Sequence, residues 1–267
     1  MFKSLTNIFR VQELRDRILY TVMAILVYRI GSHIPTPGID PTALLEFLSS
    51  AQGGGGLLTI MDLFSGGALF RFSILALGIM PYISASIIMQ LLGVVIPALE
   101  RMQKEGESGR KKINQYVRYL ALVLCIIQSA AMASWIQSIN EGAMIYMNPG
   151  LGFVLIVVAT ATAGTMFLMW LGDQITERGL GNGISVIIFA GIVARIPAGV
   201  YDMIQKKDSE YLNSLVIVLF FIIFAIVIFC VVYEESGQRR IPVQYAKRVV
   251  GRKVFGAQST HIPFKIN

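Results

Sequence analysis

Residues 72–99, FSILALGIMPYISASIIMQLLGVVIPAL, hold no charged side chain over 28 positions between Arg71 and Glu100. A bilayer core is about 30 Å thick and takes about 20 helical residues to cross. This stretch therefore suffices for one crossing. The piece before it, MDLFSGGALFR at 61–71, is too short to cross and is broken by Gly66 and Gly67. The two read as a stub followed by a full span, with Pro81 expected to kink the span. Irregular backbone at membrane depth persists only where protein or a water-filled cavity shields it. A pore or binding site is expected here first.

A hydrophobic content of 55% places the chain with multi-span membrane proteins. Five further apolar runs, at 18–34, 119–139, 152–171, 183–194 and 211–233, bring the expected spans to six. Arg29 lies near the end of the first and is expected to snorkel to the interface. Residues 1–17 interleave apolar and basic side chains, as a helix on the membrane surface does; an ordinary first helix fits equally. A cleaved signal peptide is rejected, because GSHIPTPG after the first run offers no small-residue cleavage site. Residues 100–118 and 234–267 read as basic, polar loops. The small residues ATATAGT at 159–165 mark a face for close packing. Asn182, between glycines, reads as a cap or turn for the fifth span.

Net charge +7 does not require nucleic acid. With the N-terminus inside, the inner segments carry eighteen of the Lys and Arg residues and the outer loops three. That bias sets the N-terminus, and the tail after six spans, in the cytoplasm. Cys125 and Cys230 sit in apolar runs and read as inert packing, with a disulfide left open. No metal, cofactor or nucleotide site is expected. GESGRKK fails the spacing of a phosphate-binding loop. The spans lack the mid-depth carboxylates, Lys and His that ion-coupled transporters use. No nucleophile–base pair is visible, so an enzyme is not expected. A passive or partner-driven conduit fits better.

Four long stretches carry a resemblance. FSGGALFRFSILALGIMPYISASIIMQLL resembles the plug and second span of the SecY family, the pore subunits of the bacterial Sec translocase. KEGESGRKKINQY resembles that family's loop between spans two and three. GTMFLMWLGDQITERGLGNGISVIIFAGIVA resembles its turn from span four to span five. ESGQRRIPVQYAKRVVGRKVFGAQSTHIPFKIN resembles its cytoplasmic loop after span six.

The resemblance implies an all-α, polytopic membrane helix bundle: a first five-span repeat at 18–200, a sixth span at 211–233 and a basic cytoplasmic loop at 234–267. It implies a channel for unfolded secretory polypeptides and signal peptides in the bacterial cytoplasmic membrane. SecE, SecG, the SecA motor, the ribosome and membrane lipid are the implied partners. Phe64, Ser65, Gly66, Gly67, Ala68, Leu69, Phe70 and Arg71 map onto the plug. Ile79, Ile83, Ile184 and Ile188 map onto the constriction ring; each pair is spaced i, i+4 and faces one side of a helix. Without the resemblance these isoleucines read as core. Gln90 maps onto the lateral gate, or makes a single interhelical hydrogen bond. Arg239, Arg240, Lys247, Arg248, Arg252 and Lys253 map onto the SecA or ribosome docking arm, or serve retention and anionic-lipid attraction. The family's seventh span would begin after Asn267, so a partial or split channel is expected. A small-solute transporter with a broken helix and a non-transporting assembly scaffold are the competing readings.

Overall fold

A computed structural model describes residues 11–49, 56–139, 150–205, 214–243, 248–250, 253–255 and 260–265. Residues 1–10 of the expected surface helix lie outside this set. The helices are α1 (Gln12–Gly31), α2 (Pro41–Ser49), α3 (Gly56–Ser65), α4 (Met80–Val95), α5 (Pro97–Lys104), α6 (Glu107–Ile139), α7 (Leu151–Arg178), α8 (Gly183–Gln205) and α9 (Ser214–Glu235). Four of them, α6 to α9, are long and apolar enough to cross a membrane among the described residues, and the bent pair α4–α5 makes a fifth. The first expected span falls in α1, where Glu13, Arg15, Asp16, Arg17 and Arg29 flank a shorter apolar stretch.

The chain divides into two units, Met1–Ala198 and Gly199–Asn267. In the first, the expected single span at 72–99 is three pieces. Residues 72–79 form turns, with Phe72 at φ 44° and Gly78 at φ 55°. The helix begins only at Met80, with Pro81 in its first turn. There its missing N–H costs nothing, so Pro81 starts the helix rather than kinking it. The break comes at Pro97. Ile96 before it is extended, as a residue preceding proline is driven to be, and α5 leaves α4 at 102°. Residues 100–118, expected as a loop, are mostly helical: α5 ends at Lys104 and α6 begins at Glu107.

One side of α4, at Ala85 and Met89, packs against Val117 and Ala121 of α6 and Met169 of α7. Toward the other end, Ala133 and Ile136 of α6 meet Phe153 and Val157 of α7, with Ile39, Leu44 and Phe72 sealing the group. Cys125 is buried beside Leu77 and Ala161, and the thiols of both cysteines are free. The small-residue face of α7 does pack closely, on the 72–79 turns. A Cβ on Gly164 would come within 1.9 Å of the Ile74 carbonyl oxygen. Between helices in lipid, where solvent gives no hydrophobic drive, such close contact supplies the cohesion.

The second unit contains α9 and the tail. Within the tail, expected as a basic cytoplasmic loop, lie two antiparallel ribbons: β1 (Gln238–Val243) with β4 (Thr260–Lys265), and β2 (Arg248–Val250) with β3 (Lys253–Phe255).

Candidate functional site: the stub and the isoleucine cluster

The stub α3 ends at Ser65, and the chain turns at once through Gly66 and Gly67, at φ 67° and 89°. Only glycine takes such angles without strain. The turn is tightly bonded. Gly66 N–H donates to the Leu63 carbonyl at 3.2 Å and Gly67 N–H to the Asp62 carbonyl at 3.0 Å. Ser65 Oγ donates to the Asp62 carbonyl at 3.0 Å and accepts Leu69 N–H at 3.1 Å. The two glycines thus serve a hydrogen-bonded turn and close packing.

Three elements hold the turn. From α1, Tyr28 Oη donates to the Ser65 carbonyl at 3.0 Å and Arg29 Nη1 to the Gly66 carbonyl at 3.2 Å. Arg29 therefore satisfies backbone oxygen of the stub, where snorkelling was expected. From α8, Gly191 brings its backbone against Gly66, and Arg195 pairs with Asp62. From the loop after α1, His33 meets Arg71 at 2.8 Å. Because arginine only donates, His33 Nε2 is the acceptor there. Its Nδ1 then donates to the Arg29 carbonyl, 2.8 Å away. Just beyond the stub, Thr36 N–H donates to the Phe72 carbonyl and Ile74 N–H to the Ile34 carbonyl, both at 2.9 Å. A cavity of about 220 Å³ lies beside the turn, lined by Arg29, Arg71 and Arg195 with Gly66, Gly67 and Phe70.

The four ring candidates come together. Ile79 is buried in a cluster with Ala24 and Tyr28 of α1, Leu75, Leu168, Leu171 and Ile175, and Ile187 of α8; Ile83, Ile184 and Ile188 pack on it, half-buried. The approach of α8 is set by its capped start. Asn182 Oδ1 accepts the N–H groups of Ile184 at 3.1 Å and Ser185 at 3.5 Å. Thr21 Oγ1 of α1 accepts Leu180 N–H at 3.1 Å, and Thr176 Oγ1 of α7 accepts Gly183 N–H at 2.8 Å.

Gln90 lies apart from the ring. It is exposed and lines a cleft of about 670 Å³ with Glu100, Lys104 and Arg110, in the angle between α4 and α5. Nearby, Arg118 of α6 pairs with Asp173 of α7, Nη2 to Oδ2 2.7 Å. In the tail, Arg239 and Arg240 lie on β1, Arg248 on β2 and Lys253 on β3; Lys247 and Arg252 are outside the described residues. Strand alternation puts Arg239 and Arg240 on opposite faces. By register Arg239 shares a face with Ile241, Ile262 and Phe264, and Arg240 shares one with His261 and Lys265.

Asp62 was not legible from the sequence as part of this site. Its side chain has no exposed surface, and it pairs with a residue 133 positions away. A lone carboxylate in the short stub gave no signal of that partner.

These features define a polytopic α-helical membrane protein organised around a stub folded in among its spans. The SecY family model matches residues 73–267. The protein translocase subunit SecY of Buchnera aphidicola is 53% identical over 255 residues, covering 96% of this chain and 71% of its own length. That of Escherichia coli strain K12 is 52% identical over 255 residues, with 96% and 57% covered. That of Aquifex aeolicus is 46% identical, with 100% and 62% covered. The chain thus spans between 57% and 71% of the length of these relatives. A solved structure described as a protein conducting channel superposes with TM-score 0.61 at 21% identity, over 94% of this chain and 52% of that one. Sec61 from a canine ribosome–channel complex superposes with TM-score 0.58 at 20% identity, over 86% and 49%. The chain belongs to the SecY family.

Proposed function

We propose that this chain supplies the pore-forming part of a Sec-type protein-conducting channel in the bacterial cytoplasmic membrane. Unfolded secretory polypeptides pass through it and membrane proteins leave it sideways into lipid. Residues 64–71 are the plug, and Ile79, Ile83, Ile184 and Ile188 are the neck it closes. The observation that carries this is Tyr28. It lies in one apolar cluster with Ile79 and Ile187, and its hydroxyl donates to the Ser65 carbonyl, so a single side chain joins stopper to neck. Aliphatic side chains offer no hydrogen bonds, so they can narrow a path without gripping a particular sequence, and such a constriction resists ions by dewetting.

The basic bias of alternate segments supports a cytoplasmic N-terminus. The ribbons after α9 then face the cytoplasm, where Arg239, Arg240, Arg248 and Lys253 dock SecA or the ribosome; that the relatives are translocase subunits supports this reading. Gln90 belongs to the lateral gate, and SecE and SecG complete the assembly. The experiment places cysteines at Ile83 and Ile188 in an assembled channel and stalls a secretory chain in transit. Crosslinks from both positions are expected. Their absence in a channel that still transports refutes the neck assignment.

A further inference from the structure

We propose that Asp62 and Arg195 form an ion-pair latch through which α8 holds the stub, and that the latch opens before residues 64–71 leave their seat.

Both oxygens of Asp62 are in use. Oδ1 accepts Phe70 N–H at 2.9 Å, and Oδ2 pairs with Arg195. Its own carbonyl accepts Gly67 N–H and Ser65 Oγ. One residue therefore gathers the start of the loop, its end and α8. The carboxylate is fully buried, while Arg195 keeps 36% of its side chain exposed. Withdrawal of Arg195 would leave a buried charge held by the Phe70 amide and a long contact from Ser65 Oγ at 3.5 Å, with no cation paired to it, which is strongly unfavourable. The remaining ties from α1 reach the stub through backbone carbonyls and involve no charge pair.

The surroundings sharpen the dependence. Arg29, Arg71 and Arg195 line the same cavity of about 220 Å³, with His33 on Arg71 and Asp62 buried beside Arg195. Neutralising Asp62 removes the carboxylate that offsets these cations while leaving an oxygen to accept Phe70 N–H. Arg195 is also carried by the helix of Ile184 and Ile188. A displacement of that helix is thereby transmitted to the stub as a pull on Asp62.

The role as a latch rests on reading 64–71 as a movable stopper, so the test reads the seat itself. Hydrogen–deuterium exchange is followed by mass spectrometry on the chain in lipid nanodiscs, as wild type and as Asp62→Asn, Arg195→Gln and Arg195→Lys. Peptides covering 64–72 are expected to exchange at least about tenfold faster in Asp62→Asn and Arg195→Gln, near wild type in Arg195→Lys, with α6 and α7 unchanged. Arg195 sits at the partly exposed end of the pair, so Arg195→Gln against Arg195→Lys decides the matter if Asp62→Asn does not accumulate. Exchange within about twofold of wild type in Arg195→Gln, or a rise shared equally by α6 and α7, overturns the latch. Faster exchange at 64–72 with unchanged ion conductance in an assembled translocase keeps the latch and retires the stopper.

Discussion

Gly66 and Gly191 meet backbone to backbone. A Cβ on Gly66 would lie 2.9 Å from the Gly191 Cα, and a Cβ on Gly191 would lie 2.9 Å from Tyr28 Oη and 3.3 Å from the Phe64 carbonyl oxygen. The stub is therefore seated on α8 at a distance that leaves no room for a Cβ unless neighbouring atoms shift. Gly191→Ala should force the contact apart at a cost of about 1–3 kcal/mol. Thermal unfolding in detergent checks this. A variant as stable as wild type would show that the seat yields freely.

Tyr28→Phe removes one hydrogen bond and keeps the ring in its cluster. The Ser65 carbonyl still accepts Ala68 N–H at 3.4 Å, so the loss should be only about 1 kcal/mol. Tyr28→Ala opens a cavity against Leu75 and Ile79 as well, and should cost about 3–5 kcal/mol. The gap between the two variants, read by denaturation, separates anchoring of the stub from packing of the isoleucine cluster.

The two arginines of β1 should not be equivalent. Arg240 shares its ribbon face with His261 and Lys265, whereas Arg239 stands among Ile241, Ile262 and Phe264. If the ribbon docks SecA or the ribosome as proposed, Arg240→Glu weakens that binding and flattens its salt dependence, because it subtracts from the more polar face. Arg239→Glu should act less through charge. Titrations at two ionic strengths discriminate; equal salt slopes for both variants would refute a faced docking surface.

The cap of α2 should depend on pH. Asp40 Oδ1 accepts Thr42 N–H at 2.9 Å, Thr42 Oγ1 at 2.6 Å and Ala43 N–H at 3.4 Å. The Thr42 hydroxyl, then the two amides, holds this carboxyl below its ordinary value. A depressed pKa means stabilisation that is present above the unfolded value, about 3.9, and lost as pH falls through the folded one. The Thr42 and Ala43 amides should lose protection only at strongly acidic pH. Asp40→Asn, which keeps an acceptor without the charge, should remove that pH dependence.

The apolar runs were readable because a span needs length and little else, and α6 to α9 each take up one of them, although α6 begins earlier, at Glu107, and α8 runs on to Gln205. Asn182 was readable as a cap because its chemistry is local. The isoleucine pairs follow from i, i+4 spacing, although only the resemblance singled them out from core. What resisted was decided by tertiary context. Both Pro81 and Pro97 lie in one uncharged run, and hydropathy does not say which begins a helix and which breaks one. Arg29 looked like a snorkelling residue because its acceptor, the Gly66 carbonyl, is 37 positions away. The ribbons of the tail pair residues as distant as Gln238 and Lys265, and the basic composition concealed the alternation that forms them.

With 33 residues, α6 is about 50 Å long, against about 30 Å of hydrocarbon. Set upright, it would project roughly 20 Å into water or headgroups. The first turns, with Arg110, Lys111 and Lys112, make that projection at the charged end. A continuous helix is stiff, so the excess length works as a lever arm. Farther along the same helix Arg118 pairs with Asp173 of α7, and Val117 and Ala121 pack on Ala85 and Met89 of α4, so a displacement of the charged end would be felt there. Whatever grips the arm has mechanical access to the helix that carries Ile83.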